Sequence, residues 1–240
     1  ALGSSAGLNL TSAANTIAIG HDAIGAGILT GTNNTAIGQD SGKALTAGFE
    51  NIFIGSMAGT AATDNENNIA IGHDAFAASA NGGDKNVAIG YGAMKTGDVS
   101  GADNIAIGDL ALEDLTSGAN NVAIGPAAGL NITTANGTVA IGSQAIGSGI
   151  TIGINNIAIG TTAGRVLTSG QENIFIGTGA GISATDNKLN IAIGHDALAA
   201  SANDGDKNIA IGFESMATGD VSGIDNIAVG SKTLEALTTG

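Results

Sequence analysis

The sequence predicts an all-β chain folded as a parallel β-roll or β-solenoid of about fourteen rungs, each 17 or 18 residues long. Two observations carry this. A pentapeptide of the form Asn-Ile-Ala-Ile-Gly recurs along the whole chain, closed by Gly20, Gly38, Gly55, Gly72, Gly90, Gly108, Gly125, Gly142, Gly160, Gly177, Gly194, Gly212 and Gly230. Ala1-Leu2-Gly3 is the tail of one further copy. A fixed period this short marks a unit that buries its apolar side only by stacking on the next. The second observation is composition. There are 40 Gly, one Pro, one Tyr, five Phe and no Trp or Cys. Small aliphatic residues suit a thin solenoid core, not a broad two-layer domain.

Shifting the sequence by 122 residues aligns it with itself. Asn51-Ile52-Phe53-Ile54-Gly55 meets Asn173-Ile174-Phe175-Ile176-Gly177, and Gly72-His73-Asp74-Ala75 meets Gly194-His195-Asp196-Ala197. The chain is therefore one continuous solenoid, 1–240, made of two tandem seven-rung superrepeats, 1–118 and 123–240, joined by 119–122. It begins inside a motif, so it is expected to be a piece of a longer array.

Within each pentapeptide the residues alternate as in a strand. Ile52 and Ile54, Ile69 and Ile71, and Ile174 and Ile176 point one way; Asn51, Asn68 and Asn173 point the other, together with the central residue. The two aliphatic positions are Ile or Val throughout, with Thr35 the sole exception. This pair is expected to stack into the core. Stacked Asn side chains are expected to form a hydrogen-bonded ladder. Gly55, Gly72 and Gly177 allow a turn or a close backbone approach. A small residue follows each motif Gly by three positions, and a second strand or corner is expected there. Rungs about 4.8 Å apart would make a rod roughly 65 Å long.

If the Ile pair fills the roll, the opposite face is left over. It is Ala in eleven motifs, such as Ala70 and Ala192, and Phe in two, Phe53 and Phe175. An Ala stripe lets two backbones approach, and exposed Phe on a stiff rod would be sticky. This face is the expected subunit interface, with three copies gathering their Phe residues around an axis.

The motif Asn-x-Ala-Ile-Gly followed by x-x-Ala or x-x-Ser resembles the head repeat of YadA-type trimeric autotransporter adhesins. Gly72-His73-Asp74-Ala75 and Gly142-Ser143-Gln144-Ala145 show the likeness. It implies a homotrimer of parallel β-rolls, outside the cell or on its surface, binding a host or cell-surface receptor. The family's usual repeat is shorter by three or four residues, and this chain shows no coiled-coil neck or anchor. Similar arrays, as in Asn34-Thr35-Ala36-Ile37-Gly38, occur in phage tail-fibre-like proteins, which would place the chain on a virion.

The net charge of −14 repels nucleic acid and anionic membranes. No apolar run approaches the length of a membrane span. His21, His73 and His195 each precede an Asp, an arrangement open to acid–base work or to an ion on a trimer axis. However, Ser143 replaces His21 one superrepeat later and no nucleophile recurs, so no enzyme is expected. The acidic loops at Asp84, Asp98, Asp103, Asp206, Asp220 and Asp225 lack the spacing of known calcium loops, and no cofactor is expected. Asn9-Leu10-Thr11 and Asn131-Ile132-Thr133 match glycosylation acceptors, as chance allows in so Asn- and Thr-rich a chain. The expected function is a structural or adhesive fibre segment that also joins further copies end to end. A phage tail-fibre shaft is the first alternative and an ice-binding solenoid the second; a polysaccharide-cleaving β-helix ranks last. Lys85, Tyr91 and Met94, repeated as Lys207, Phe213 and Met216, form the most varied surface and the candidate contact region.

Overall fold

The computed structural model describes residues 1–26, 28–80, 82–200 and 205–239. It divides into two compact units, Ala1–Asn120 and Asn121–Gly240. Each is a parallel β-solenoid, and the described residues contain no helix. The first unit holds β1 (Ile17–Ile19), β2 (Thr35–Ile37), β3 (Ile52–Ile54), β4 (Ile69–Ile71), β5 (Val87–Ile89) and β6 (Ile105–Ile107). The second holds β7 (Val122–Ile124), β8 (Val139–Ile141), β9 (Ile157–Ile159), β10 (Ile174–Ile176), β11 (Ile191–Ile193), β12 (Ile209–Ile211) and β13 (Ile227–Val229). Within each unit neighbours in the chain pair in parallel and in strict register, so Phe53 lies between Ala36 and Ala70 and Phe175 between Ala158 and Ala192. The opening Leu2 adds only an isolated bridge to Ile19.

The strands face the opposite way from the expectation. Their central residues point inward: Ala70, Ala192, Phe53 and Phe175 are wholly buried within the single chain. They are core residues and not a subunit interface. The flanking Ile and Val residues form the outer face and stay partly exposed on every strand. The reason is width. The opposite wall of so short a rung is close, and a core at crystalline density has room for a methyl at this level but not for a branched chain.

That wall is a tight corner. Four residues after the motif Gly, Ile24, Phe76, Met94, Leu112, Ile146 and Met216 are buried against the strand column. They adopt a left-handed backbone, with φ of 50° at Ile24 and 56° at Phe76. Such a conformation costs a non-glycine residue about 1–2 kcal/mol, while burying an Ile or Phe side chain yields about 1.5–3 kcal/mol, so burial wins. The corner is two overlapping turns, not a second strand: Ala23 N–H donates to Gly20 O, and Gly25 N–H to Asp22 O. Its remaining amides stitch it to the rungs on either side, as Asp22 N–H donates to Ser4 O and Ile24 N–H to Ser41 O.

Phe53 fits because its neighbours yield. Gly42 and Gly59 occupy the corner positions that hold large side chains elsewhere, and a Cβ on Gly59 would lie 2.7 Å from the Phe53 ring. Gly164 and Gly181 do the same for Phe175. Core volume is thereby conserved, Phe plus Gly replacing Ala plus a large corner residue.

The inward Asn column closes each rung. Asn51 Oδ1 accepts from the backbone N–H of Asn68 (3.0 Å) and from its side-chain amide (3.3 Å). Asn51 Nδ2 donates to Asn65 O at 2.6 Å, 14 residues on, pinning the returning loop to the strand. Asn68 repeats this with Asn86 and Gly83, and Asn173 with Asn190 and Asn187. The column is interrupted at Thr138, whose buried hydroxyl has no hydrogen-bond partner. The motif Gly is the third fixed point. Gly72 has φ of 135°, and a Cβ there would stand 2.7 Å from the Gly90 carbonyl carbon and closer still to its oxygen.

Candidate interaction surface

Each strand carries two outward β-branched aliphatics, one residue apart, and successive strands place them in line. In β6 both Ile105 and Ile107 are about a third exposed, at 36% and 37%. The structural-motif residues Ile52, Ile54, Ile69, Ile71, Ile174 and Ile176 all belong to these two columns. The residue after the motif Gly stands at the C-terminal end of the same row. There His73 stacks on Tyr91 (5.5 Å between centroids) and His195 on Phe213 (5.5 Å). Tyr91 and Phe213 are exposed, and Lys85 and Lys207 are exposed and left-handed just ahead of β5 and β12. Met94 and Met216, by contrast, are buried corner residues and belong to no contact surface. Their apolar chains fill the space beside an Ala strand position, which removes them from the row that Tyr91 and Phe213 occupy.

Charged groups cluster beside this row and differ between the units. In the first, Lys43 Nζ lies 2.7 Å from Asp40 Oδ1 and 3.3 Å from Asp22 Oδ2, with His21 Nδ1 3.7 Å from Asp22 Oδ2. The Lys43 hydrogen bond holds the Asp40 carboxyl below its ordinary range, and the same bond, with a second from Asp22, raises Lys43. Among the described residues only His21, Asp22 and Asp40 bring three ligand-type atoms within 4.8 Å of one another. The Lys43 ammonium already pairs with both carboxylates. One superrepeat later the four positions are Ser143, Gln144, Thr162 and Arg165.

A second cluster has Lys95 Nζ 2.9 Å and His73 Nδ1 3.3 Å from Asp74 Oδ2. Its copy keeps His195 and Asp196 but has Ala217 for Lys95. The Asp74 hydrogen bond raises Lys95. Burial, followed by the charge of Asp114, raises the Glu113 carboxyl.

The acidic loop residues act as stitches between rungs. Asp84 accepts from Glu66 N–H (2.8 Å), Asp98 from Ala80 N–H (2.8 Å) and Asp206 from Lys188 N–H (2.7 Å). Asn9 and Asn131, of the two glycosylation-type triplets, each donate to a backbone carbonyl, Gly25 O and Gly147 O. Among the described residues there is no pocket, and no helix is long and apolar enough to cross a membrane. Each unit thus presents an aliphatic double column with one stacked aromatic pair at its C-terminal margin. Sequence reasoning found these residues but put the Ile pair inside; the signal it passed over was the uniform smallness of the central position.

No protein-family profile, curated protein or solved structure matches the chain.

Proposed function

We propose that this chain is a segment of a structural or adhesive extracellular fibre, built as a homotrimer whose copies meet through the outward Ile and Val columns. The observation that carries the reading is the double aliphatic column itself. Contiguous exposed apolar surface beyond a few hundred Å² marks an interaction site on a soluble protein. Covering the exposed third of an Ile side chain is worth about 0.5–1 kcal/mol, a third of full burial. The eleven Ile and Val positions among the outward residues of the six strands β1–β6 then supply roughly 5–11 kcal/mol per copy, against an association cost of about 4–15 kcal/mol. Both units together favour assembly.

The number three comes from the motif's likeness to YadA-type head repeats, and three flat faces can close on a common axis with every apolar column inside. Presentation at a cell surface, receptor binding and end-to-end addition of further copies belong to the same reading. A phage tail-fibre shaft is physically the same object on a virion. An ice-binding solenoid needs hydroxyls in register along a flat face, and Thr35 is the sole hydroxyl in the two outward columns.

Light scattering with small-angle scattering tests the proposal. It requires a mass near three times 23.0 kDa with a rod-like profile. A 23.0 kDa particle at micromolar concentration would end it and leave the ice-binding reading to be tested by thermal hysteresis.

A further inference from the structure

We infer that Lys85 and Lys207 reach across the subunit boundary onto the rings of Tyr91 and Phe213 of a neighbouring copy, an inference that rests on the self-association proposed above. Copies related by rotation about a common axis make head-to-tail contacts that close into a ring. In such a ring the C-terminal end of one copy's strand meets the N-terminal end of the next copy's strand at about the same height. The side chains at the two ends of one rung therefore become partners between copies although they are far apart within one.

The ends of the rungs show one matched pair per unit. Of the residues directly preceding the motif's first position, only Lys85 and Lys207 are basic. Of those directly following the motif Gly, only Tyr91 and Phe213 carry a benzene ring. Both pairs fall on single rungs, those of β5 and β12. A lysine ammonium within about 6 Å of a ring centroid is attracted to its face.

The differences between the units separate this pair from its surroundings. Tyr91 becomes Phe213, which keeps the ring and drops the hydroxyl. Lys95, which lies 5.4 Å from the Tyr91 centroid in its own chain, becomes Ala217. The cation supplied within the chain is lost, while the lysine at the far end of the rung is kept. Tyr91 and Phe213 remain about half exposed, at 52% and 46%. Among the described residues neither Lys85 nor Lys207 makes an ion pair. Each ring is stacked by a histidine of the preceding rung, His73 or His195, yet stays about half exposed at one margin of the aliphatic columns, with the exposed lysine at the other.

The test uses the absence of native cysteine. In a Lys85→Cys, Tyr91→Cys double variant the two thiols lie six residues apart on one extended rung, about 20 Å, too far for a short bismaleimide to join within a chain. The inference requires crosslinking that yields denatured species of two and three chains and stops there, while each single variant stays uncrosslinked. Lys207→Cys with Phe213→Cys should behave alike. Tyr91→Ala with Phe213→Ala should raise the concentration for half-dissociation at least about fivefold, as expected for lost cation–π contacts, with Tyr91→Phe within about twofold of the parent. A trimeric parent whose double-cysteine variants stay uncrosslinked would overturn this inference and leave the assembly intact. Lys85→Cys crosslinking alone into dimers would overturn it too, because that demands a two-fold contact. A monomeric parent would remove the assembly and this contact together.

Discussion

On eleven of the thirteen strands the inward face carries an Ala and the outward face larger side chains; β3 and β10, with Phe53 and Phe175 inward, are the exceptions. In β5, Ala88 is sealed in the core while Val87 and Ile89 on either side are partly exposed. Hydrophobicity alone would assign them the other way. The difference shows that in a thin solenoid available volume, not apolar character, decides which face turns inward. The interior is filled jointly by an Ala methyl, a large left-handed corner residue and the Asn column. The branched aliphatics are displaced outward, where further copies of the chain can cover them.

The strongest challenge to this picture is a methyl where the structure has room for none. Gly72→Ala places a Cβ against the Gly90 carbonyl in a backbone region that side chains rarely adopt. A loss of about 3 kcal/mol or more is expected, read as loss of the cooperative thermal transition. An unchanged transition would mean that the rungs are not packed so closely. Next comes the core aromatic. Phe53→Ala leaves a cavity between Gly42 and Gly59 and should cost about 3–5 kcal/mol in thermal or urea unfolding. A cost below about 1 kcal/mol would show that Phe53 is not in the core.

A smaller effect of opposite sign is expected at the break in the ladder. Thr138→Asn replaces an orphaned buried hydroxyl with the amide that Asn121 and Asn156 use on either side. A gain of about 0.5–1.5 kcal/mol is expected, seen as a raised unfolding midpoint in urea. Destabilisation would mean that the returning loop at that rung cannot accept the amide.

The smallest effect concerns acid. Lys43 holds the Asp40 carboxyl below its ordinary range. The contribution is therefore complete above the unfolded carboxyl's range and is lost as pH falls through the lower folded value. Asp40→Asn should lower the melting temperature slightly at pH 7 and not at all at pH 2. An equal loss at both would identify packing as the cause. Thr162, at the matching place in the second unit, has no such acid dependence.

The sequence showed the period, the strands, the glycines and the Asn column, because each is a residue type with one conformational or hydrogen-bonding use repeated in place. It did not show which face is inside. Alternation separates two faces but gives no sign when both are apolar, as in Ile69-Ala70-Ile71. The deciding information is the depth of the rung, set by corner residues such as Phe76 and Met94, whose left-handed backbone has no sequence signature when the residue is large and apolar. The clue that was available is the pairing of Phe53 with Gly42 and Gly59, and of Phe175 with Gly164 and Gly181. A core exchanging volume between positions produces that pattern; an exposed stripe has no reason to.

The aromatic row is legible in retrospect, since Tyr91 lies two residues beyond the outward Ile89, while Met94 lies beyond the turn that reverses the chain inward. The Lys43 cluster was legible too, since Asp22 and Asp40 both stand two residues after a motif Gly, one period apart, with Lys43 three residues beyond Asp40; the sequence reading followed the His-Asp pairs instead.

The inside-out arrangement is tested most directly by placing the same charge on adjacent residues of β5. Ile89→Asp should keep the β-sheet circular dichroism of the parent and, in light scattering, fall from three chains to the single-chain mass of 23.0 kDa. Ala88→Asp should lose the folded spectrum, because an unpaired carboxylate then sits in the core. The reverse result, Ala88→Asp folded and dissociated with Ile89→Asp unfolded, would contradict the account and return the aliphatic columns to the core.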